Sequence, residues 1–386
     1  MKFMGYRRGD GRAGTRNHVL ILPTIVCSSE VARMIADEVP GTVYGRHGAG
    51  CGHVGEDKEQ VIRNMTGFVN HPNVYGVVLV GNGCELITPE VIMDEVSKQG
   101  TPVKIEAVSV QTAGGTPGCL QKGKELAKKL MAEAAGLERE PCDVSDLMVG
   151  LECGGSDAFS GLTANPSVGV AADLLVNEGG TAIFTETTEM LGTEQVLARR
   201  AADPNVAQDI YHIIEAAEDK AKTAGVDIRG TQPSPGNIEG GLTSIEEKSL
   251  GCIRKGGTTT IQEVVKFAQM PSRRGLIIMD GTAADVQSNI ALAAAGCQII
   301  IFTTGRGTPV GTPTVPVIKV SSNTVTYSKM PDNIDVNAGI IIDGEGTLQS
   351  VGEQIFNEIV GVASGKLTKA ETLGHREFDI NFTLVV

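Results

Sequence analysis

The sequence predicts an α/β protein of two domains built on mainly parallel sheets. Short apolar runs recur along the whole chain, and amphipathic runs with helical spacing separate them. Uninterrupted apolar strands belong to parallel sheets covered by helices on both faces. A polar interval at 136–146, holding Pro141, breaks the alternation and divides a first domain (1–140) from a second (141–386).

In the first domain, 18–26 reads as a buried strand and 28–39 as a helix with Ser28 as its N-cap. Residues 60–69 read as a helix and 74–80 as a second buried strand. Helix 89–98 carries Pro89 in its first turn, where a missing N–H is tolerated. A strand at 103–110 and an Ala/Lys/Glu helix at 123–135 follow. In the second domain, strands are read at 147–151, 181–185, 275–279, 298–303, 315–320 and 339–342. Helices are read at 167–177, 193–202, 206–223, 259–267, 286–294 and 348–364. Residues 227–257 break this rhythm. Gly230, Pro233, Pro235, Gly236, Gly240 and Gly241 crowd a polar stretch there, as in connections that are functional or disordered.

Bulk properties exclude several function classes. A net charge of −13 disfavours a nucleic-acid surface, which is basic. Tryptophan is absent and aromatics make up 4%, too few for base-stacking platforms. No apolar run reaches membrane-spanning length, and the N-terminus lacks the apolar core of a signal peptide, so a cytoplasmic location is expected. The eight cysteines are then expected to be reduced, buried, catalytic or metal-bound.

The most reactive stretch follows the strand at 147–151. Cys153, Ser156, Asp157, Ser160, Thr163 and Asn165 crowd a loop at a strand's carboxyl end, where open α/β sheets bind ligands. His47, Cys51, His53, Glu56 and Asp57 crowd 46–57. Imidazoles there can relay protons, and Cys, His and Asp can bind a transition metal, although the spacing matches no standard zinc module. Cys84 and Glu85 follow the strand at 74–80, where a packed core thiol explains Cys84 equally well. Glu186 and Glu189, three apart, suit a divalent metal or a general base, although acidic residues also favour the first turn of any helix. Arg306, between Gly305 and Gly307, is open to an anion, and Arg16 and Asn17 at the start of the first strand offer similar groups. Cys27, Cys119, Cys142, Cys252 and Cys297 lack such company and default to core packing.

Taken in order, these motifs resemble the altronate/galactarate dehydratase family. They are Gly5-Tyr6-Arg7-Arg8 with Gly14-Thr15-Arg16-Asn17-His18; Gly50-Cys51-Gly52; Gly83-Cys84-Glu85; Cys153-Gly154-Gly155-Ser156-Asp157 with Thr163-Ala164-Asn165-Pro166; Glu186-Thr187-Thr188-Glu189; Glu247-Lys248-Ser249-Leu250-Gly251; and Thr303-Thr304-Gly305-Arg306-Gly307. The resemblance spans essentially the whole chain. It implies a hydro-lyase acting on a sugar acid, a requirement for Fe(II), and an unusual Rossmann-like sheet in the second domain. It also implies a small β-rich domain, which the chain as given does not contain, so a separate small subunit is expected. A homo-oligomer is expected too, a dimer formed through the first domain, which would also contribute to the site. A related branch, the sulfolactate sulfo-lyase large subunits, shares the Glu186-type motif and Gly374-His375-Arg376-Glu377-Phe378, while the Cys51, Cys84 and Cys153 motifs look more like the dehydratases.

Dehydrating a 2,3-dihydroxy acid to a 2-keto-3-deoxy acid removes the proton beside the carboxylate and expels the neighbouring hydroxyl. It needs a base, an acid, and a cation to stabilise the enediolate. On the resemblance, proton transfer is expected of His47, His53 and Asp57. Fe(II), or another divalent metal, is expected on Cys153, Asp157, Glu186 and Glu189. Substrate contacts are expected from Arg16, Asn17, Ser156, Asn165, Arg306 and Asn323. The same residues also suit elimination of sulfite from sulfolactate, or a non-catalytic subunit that binds a sugar acid.

Overall fold

A computed structural model describes residues 1–382. Lys2–Arg7 (β1) and Ala13–Gly14 (β2) precede His18–Pro23 (β3), Val43–Tyr44 (β4), Val74–Gly81 (β5) and Lys104–Ser109 (β6). The last four form a parallel sheet in the order β4-β3-β5-β6. Glu140–Asp143 (β7) leads into Met148–Gly154 (β8), Thr181–Phe184 (β9), Ile261–Val265 (β10), Gly275–Met279 (β11), Ile299–Thr304 (β12), Val317–Ser321 (β13) and Val336–Asn337 (β14). These last seven make one parallel sheet, β10-β11-β9-β8-β12-β13-β14. Helices flank both sheets, as the uninterrupted apolar strands predict.

A third sheet was not legible in advance. β1 pairs antiparallel with β7, Phe3 opposite Cys142, and β2 adds to its other side. The polar interval at 136–146 therefore carries a strand completed by the first residues of the chain. Two further expectations are corrected. Residues 259–267 contain strand β10 rather than a helix. Ile261, Val264 and Val265 fit helical spacing, but their β-branched side chains suit the pleated surface against β11. The strand expected at 339–342 is a 3-10 turn, Gly339–Ile341, packed against the backbone of Asn323 and Thr324, and the edge strand lies just before it.

The two parallel sheets share a core. One buried cluster runs from Leu20, Val61 and Phe68 to Ile290, Ile300 and Phe302. Gly67, in helix Gly55–Val69, permits the closest approach: a Cβ there would lie 2.1 Å from the carbonyl oxygen of Ala294, in helix Asp285–Ala294. Among the described residues, no helix is long and apolar enough to cross a membrane.

Candidate functional site

The chain leaves β8 towards β9 and returns to the other side of β8 only at β12, so the sheet changes its direction of growth beside β8. Such a switch opens a crevice at the carboxyl ends of the strands. Cys153 stands at that end of β8, and Glu186 and Glu189 stand in the turn after β9. Glu186 has φ 76°, a left-handed conformation that a residue with a side chain rarely adopts. The turn is anchored by Thr187, whose N–H donates to Gly281 O (3.0 Å) and whose hydroxyl donates to Asp280 Oδ1 (2.7 Å).

A fourth group arrives from the glycine-rich interval. Residues 227–257 fold into short helices, and helix Ile245–Cys252 delivers Cys252. One ligand-capable atom from each of Cys153, Glu186, Glu189 and Cys252 lies within 4.8 Å of the others, and all four residues are buried. Cys153 Sγ is 3.3 Å from Cys252 Sγ, 3.3 Å from Glu189 Oε2 and 3.7 Å from Glu186 Oε1. The Cys153 N–H donates to Glu186 Oε2 at 3.0 Å. Lys255, fully buried in the 3-10 turn Ile253–Gly256, donates to Cys153 Sγ (3.1 Å), to Cys252 Sγ (3.2 Å) and to the Glu186 carboxylate. Lys248 pairs with Glu189 Oε1 at 2.7 Å.

The electrostatics of this group point one way. Burial pushes Glu186 up to about 8 and Asp285 up to about 6. Burial, then the charge of Glu186, raises Glu152, whose two carboxylate oxygens have no hydrogen-bond partner. The hydrogen bond to Cys252, then burial, raises the Cys153 thiol. Burial works against the charge of Lys255, but Cys153, Cys252 and Glu186 hold its ammonium above the ordinary range. Every shift favours added positive charge, because two ammonium groups face four carboxylates and two thiols. A buried donor set of two thiols and two carboxylates suits a first-row divalent transition metal better than calcium or magnesium, which take oxygen ligands alone.

The structure thus brings together three of the four residues expected to hold metal. Asp157 is not among them. Its carboxylate accepts from Ser160 Oγ (2.7 Å), Ser322 Oγ (2.7 Å) and Asn323 Nδ2 (3.0 Å), which organises the loop after β8. Cys252, whose sequence setting suggests core packing, takes the fourth place.

The residues expected to bind substrate separate into three places. Arg16 is buried in an ion pair with Glu371 and donates to the carbonyls of Thr15, Val362 and Lys366; it braces the fold. Asn17 donates to Ala134 O and accepts from Arg8, again within the fold. Arg306 and Asn323 line an opening beside Asp157. There Arg306 pairs with the exposed Glu239, and the Asn323 side chain caps helix Thr324–Lys329 through the Thr326 N–H. Ser156 and Asn165 line a cleft of about 270 Å³ on the other side of Asp157, together with Lys248, Gly251 and Arg254. The Asn165 side chain is occupied by Gly251 O and Thr303 Oγ1, so it shapes the wall. Lys248, in that wall and bonded to Glu189, connects the cleft with the Cys/Glu group.

The histidines stand in the first α/β unit, on the loop before helix Gly55–Val69. His47 Nε2 meets Pro23 O at 2.6 Å, and its Nδ1 accepts the Ala49 N–H at 3.1 Å. Both ring nitrogens therefore serve the loop, and burial lowers His47 to about 4. His53 accepts the Gly50 N–H at Nε2 and packs edge-on to Phe382. Asp57 lies two residues into the same helix. None of the three enters the Cys/Glu group.

A family profile described as D-galactarate/altronate dehydratase, C-terminal, matches residues 144–385. Another, described as D-galactarate dehydratase/altronate hydrolase, second domain, matches 5–135. The chain is 36% identical to an altronate dehydratase of Bacillus subtilis, across 98% of this chain and 77% of that protein. It is 38% identical to the (2R)-sulfolactate sulfo-lyase subunit beta of Chromohalobacter salexigens, across 97% of this chain and 96% of that subunit. It is 37% identical to an L-threo-forming galactarate dehydratase of Escherichia coli, across 94% of this chain and 73% of that protein.

Proposed function

The chain belongs to the D-galactarate/altronate dehydratase family, and from that premise we propose that it dehydrates a sugar acid to a 2-keto-3-deoxy acid. It is an enzyme of the lyase class. The observation that carries the substrate reading is the polar cleft joined through Lys248 to a buried, anion-rich Cys/Glu group. Cys153, Cys252, Glu186 and Glu189 would hold Fe(II), which supplies Lewis-acid stabilisation of negative charge on substrate oxygen. Lys248 presents an ammonium between cleft and group and is assigned the proton for the departing hydroxyl, which leaves as water; the Asp285 carboxylate, raised by burial to about 6 beside Glu189 and Lys248, is assigned the α-proton. Ser156 lines the cleft, where its hydroxyl is assigned a hydrogen bond to a substrate hydroxyl.

A second reading, sulfite elimination from sulfolactate, is favoured by one observation: the match to the sulfo-lyase subunit is as high in identity as those to the dehydratases and runs over nearly that subunit's whole length. That relative is named as a subunit, which supports a multi-subunit form, and we carry the small β-rich partner expected from the resemblance into both readings. The test is to incubate the chain, with and without such a partner and under anaerobic Fe(II), with altronate, galactarate and (2R)-sulfolactate. Keto acid without sulfite supports dehydration. Sulfite release from sulfolactate alone supports the second reading.

A further inference from the structure

The segment 248–255 is the wall between cleft and Cys/Glu group, and its two faces differ. Helix Ile245–Cys252 runs directly into the 3-10 turn Ile253–Gly256. Residues three apart share a face of such a segment. Cys252 and Lys255 enter the buried group, whereas Lys248, Gly251 and Arg254 line the cleft. Arg254 therefore sits in sequence between two residues anchored in the group.

The charges of the cleft are otherwise committed. Lys248 bonds Glu189 and the side chain of Gln232. Glu247 accepts from the N–H (2.8 Å) and hydroxyl (2.6 Å) of Thr243. Asp157 accepts from Ser160, Ser322 and Asn323. The guanidinium of Arg254 makes no ion pair or hydrogen bond with any described residue and is exposed to the cleft. Arg306, the arginine that sequence favoured for an anion, opens on the neighbouring cavity beyond Asp157 and is paired with Glu239.

We propose that Arg254 receives the substrate carboxylate and thereby orients the adjacent carbon towards the Cys/Glu group. An unpaired guanidinium at a small cleft fits a planar carboxylate with two parallel hydrogen bonds. The inference rests on the hydroxy-acid reading above and goes beyond it by naming the residue that binds the carboxylate. A sulfonate or a second carboxylate at the far end of the ligand is left to the open mouth of the cleft.

The test compares wild type, Arg254→Gln, Arg254→Lys and Arg306→Gln, using altronate, galactarate and (2R)-sulfolactate as probes, each alongside its carboxamide analogue. Binding is measured by calorimetry and turnover by keto acid or sulfite. Arg254→Gln is expected to raise KM and Kd about ten- to a hundredfold for the acid but not for the amide, the loss of one charge-assisted bidentate contact. kcat should change by only a few fold, Arg254→Lys should recover part of the affinity, and Arg306→Gln should behave as wild type. Acid binding unchanged in Arg254→Gln, or lost in Arg306→Gln instead, overturns the inference and leaves the dehydratase reading standing. With Fe(II) and the small partner present throughout, Arg254-dependent binding of an acid without turnover supports the inference and sinks the dehydratase reading. A wild type that neither binds nor converts any probe overturns both.

Discussion

Replacing Arg16 with methionine separates a structural arginine from a substrate-binding one. The guanidinium makes two hydrogen bonds to Glu371, at 2.7 and 2.8 Å, and three to backbone carbonyls, those of Thr15 (2.8 Å), Val362 (2.9 Å) and Lys366 (2.9 Å). Methionine fills comparable volume but leaves all five acceptors without this donor. Breaking a buried ion pair costs about 3–5 kcal/mol. The lower end applies here, because the Glu371 carboxylate is 19% exposed and keeps the Thr368 N–H at 2.9 Å. A loss of about 3 kcal/mol lowers the urea midpoint by roughly 1 M for a slope of about 3 kcal/mol per molar. Arg16→Lys should recover little, because a lysine cannot reproduce the fork that spans Glu371 and the carbonyls. Turnover per folded molecule should stay within about twofold of wild type. An unchanged midpoint combined with a raised KM would refute the structural assignment and return Arg16 to the substrate.

Three further outcomes follow from the packing and charge of the fold. Burial lowers His47 to about 4 and His71 to about 3, so both rings are neutral in the folded chain at pH values where the unfolded chain binds protons. Their contribution is complete above about pH 6.5 and is lost as the pH falls towards the folded values, on the order of 3 kcal/mol each; urea midpoints from pH 7 to 4 should fall steeply, and His71→Gln should shallow that fall, whereas a flat profile contradicts it. Gly67→Ala should cost about 1–3 kcal/mol through overpacking against Ala294 and lower the thermal midpoint without changing KM; an unshifted midpoint would show that the two helices are not in contact. Lys319 is fully buried and donates to the carbonyls of Pro309 (3.1 Å) and Val310 (2.9 Å), so Lys319→Met should loosen the 305–311 loop and speed its amide exchange while the 270 Å³ cleft still binds acid; unaltered exchange there would count against the tether.

Most strands of the parallel sheets were legible as uninterrupted apolar runs, and β8, β9 and β12 fell within a residue or three of their expected bounds, whereas β10, with Gln262 and Glu263 inside it, and the two-residue edge strands β4 and β14 were not. The antiparallel β1–β7 pair was not, because neither Lys2–Arg7 nor Glu140–Asp143 is apolar enough to stand out and each needs the other, far along the chain. Cys153, Glu186 and Glu189 could be picked out because each follows a recognisable strand. Cys252 sits in a helix with no strand before it, although Lys248 and Lys255 at spacings of four and three were a signal that could have found it. Arg16 misled for a different reason. An arginine looks alike in sequence whether its partner is a ligand or Glu371, 355 positions on.

The most direct measurement is iron bound per chain after anaerobic reconstitution with Fe(II), made on wild type, on Cys252→Ser with Glu186→Gln, and on Asp157→Asn, each with its fold verified by circular dichroism. The Cys/Glu group predicts about one ferrous ion in wild type and in Asp157→Asn, and none in the double variant, which lacks one thiol and one carboxylate of the donor set. Iron retained by the folded double variant, or lost from folded Asp157→Asn, would contradict it.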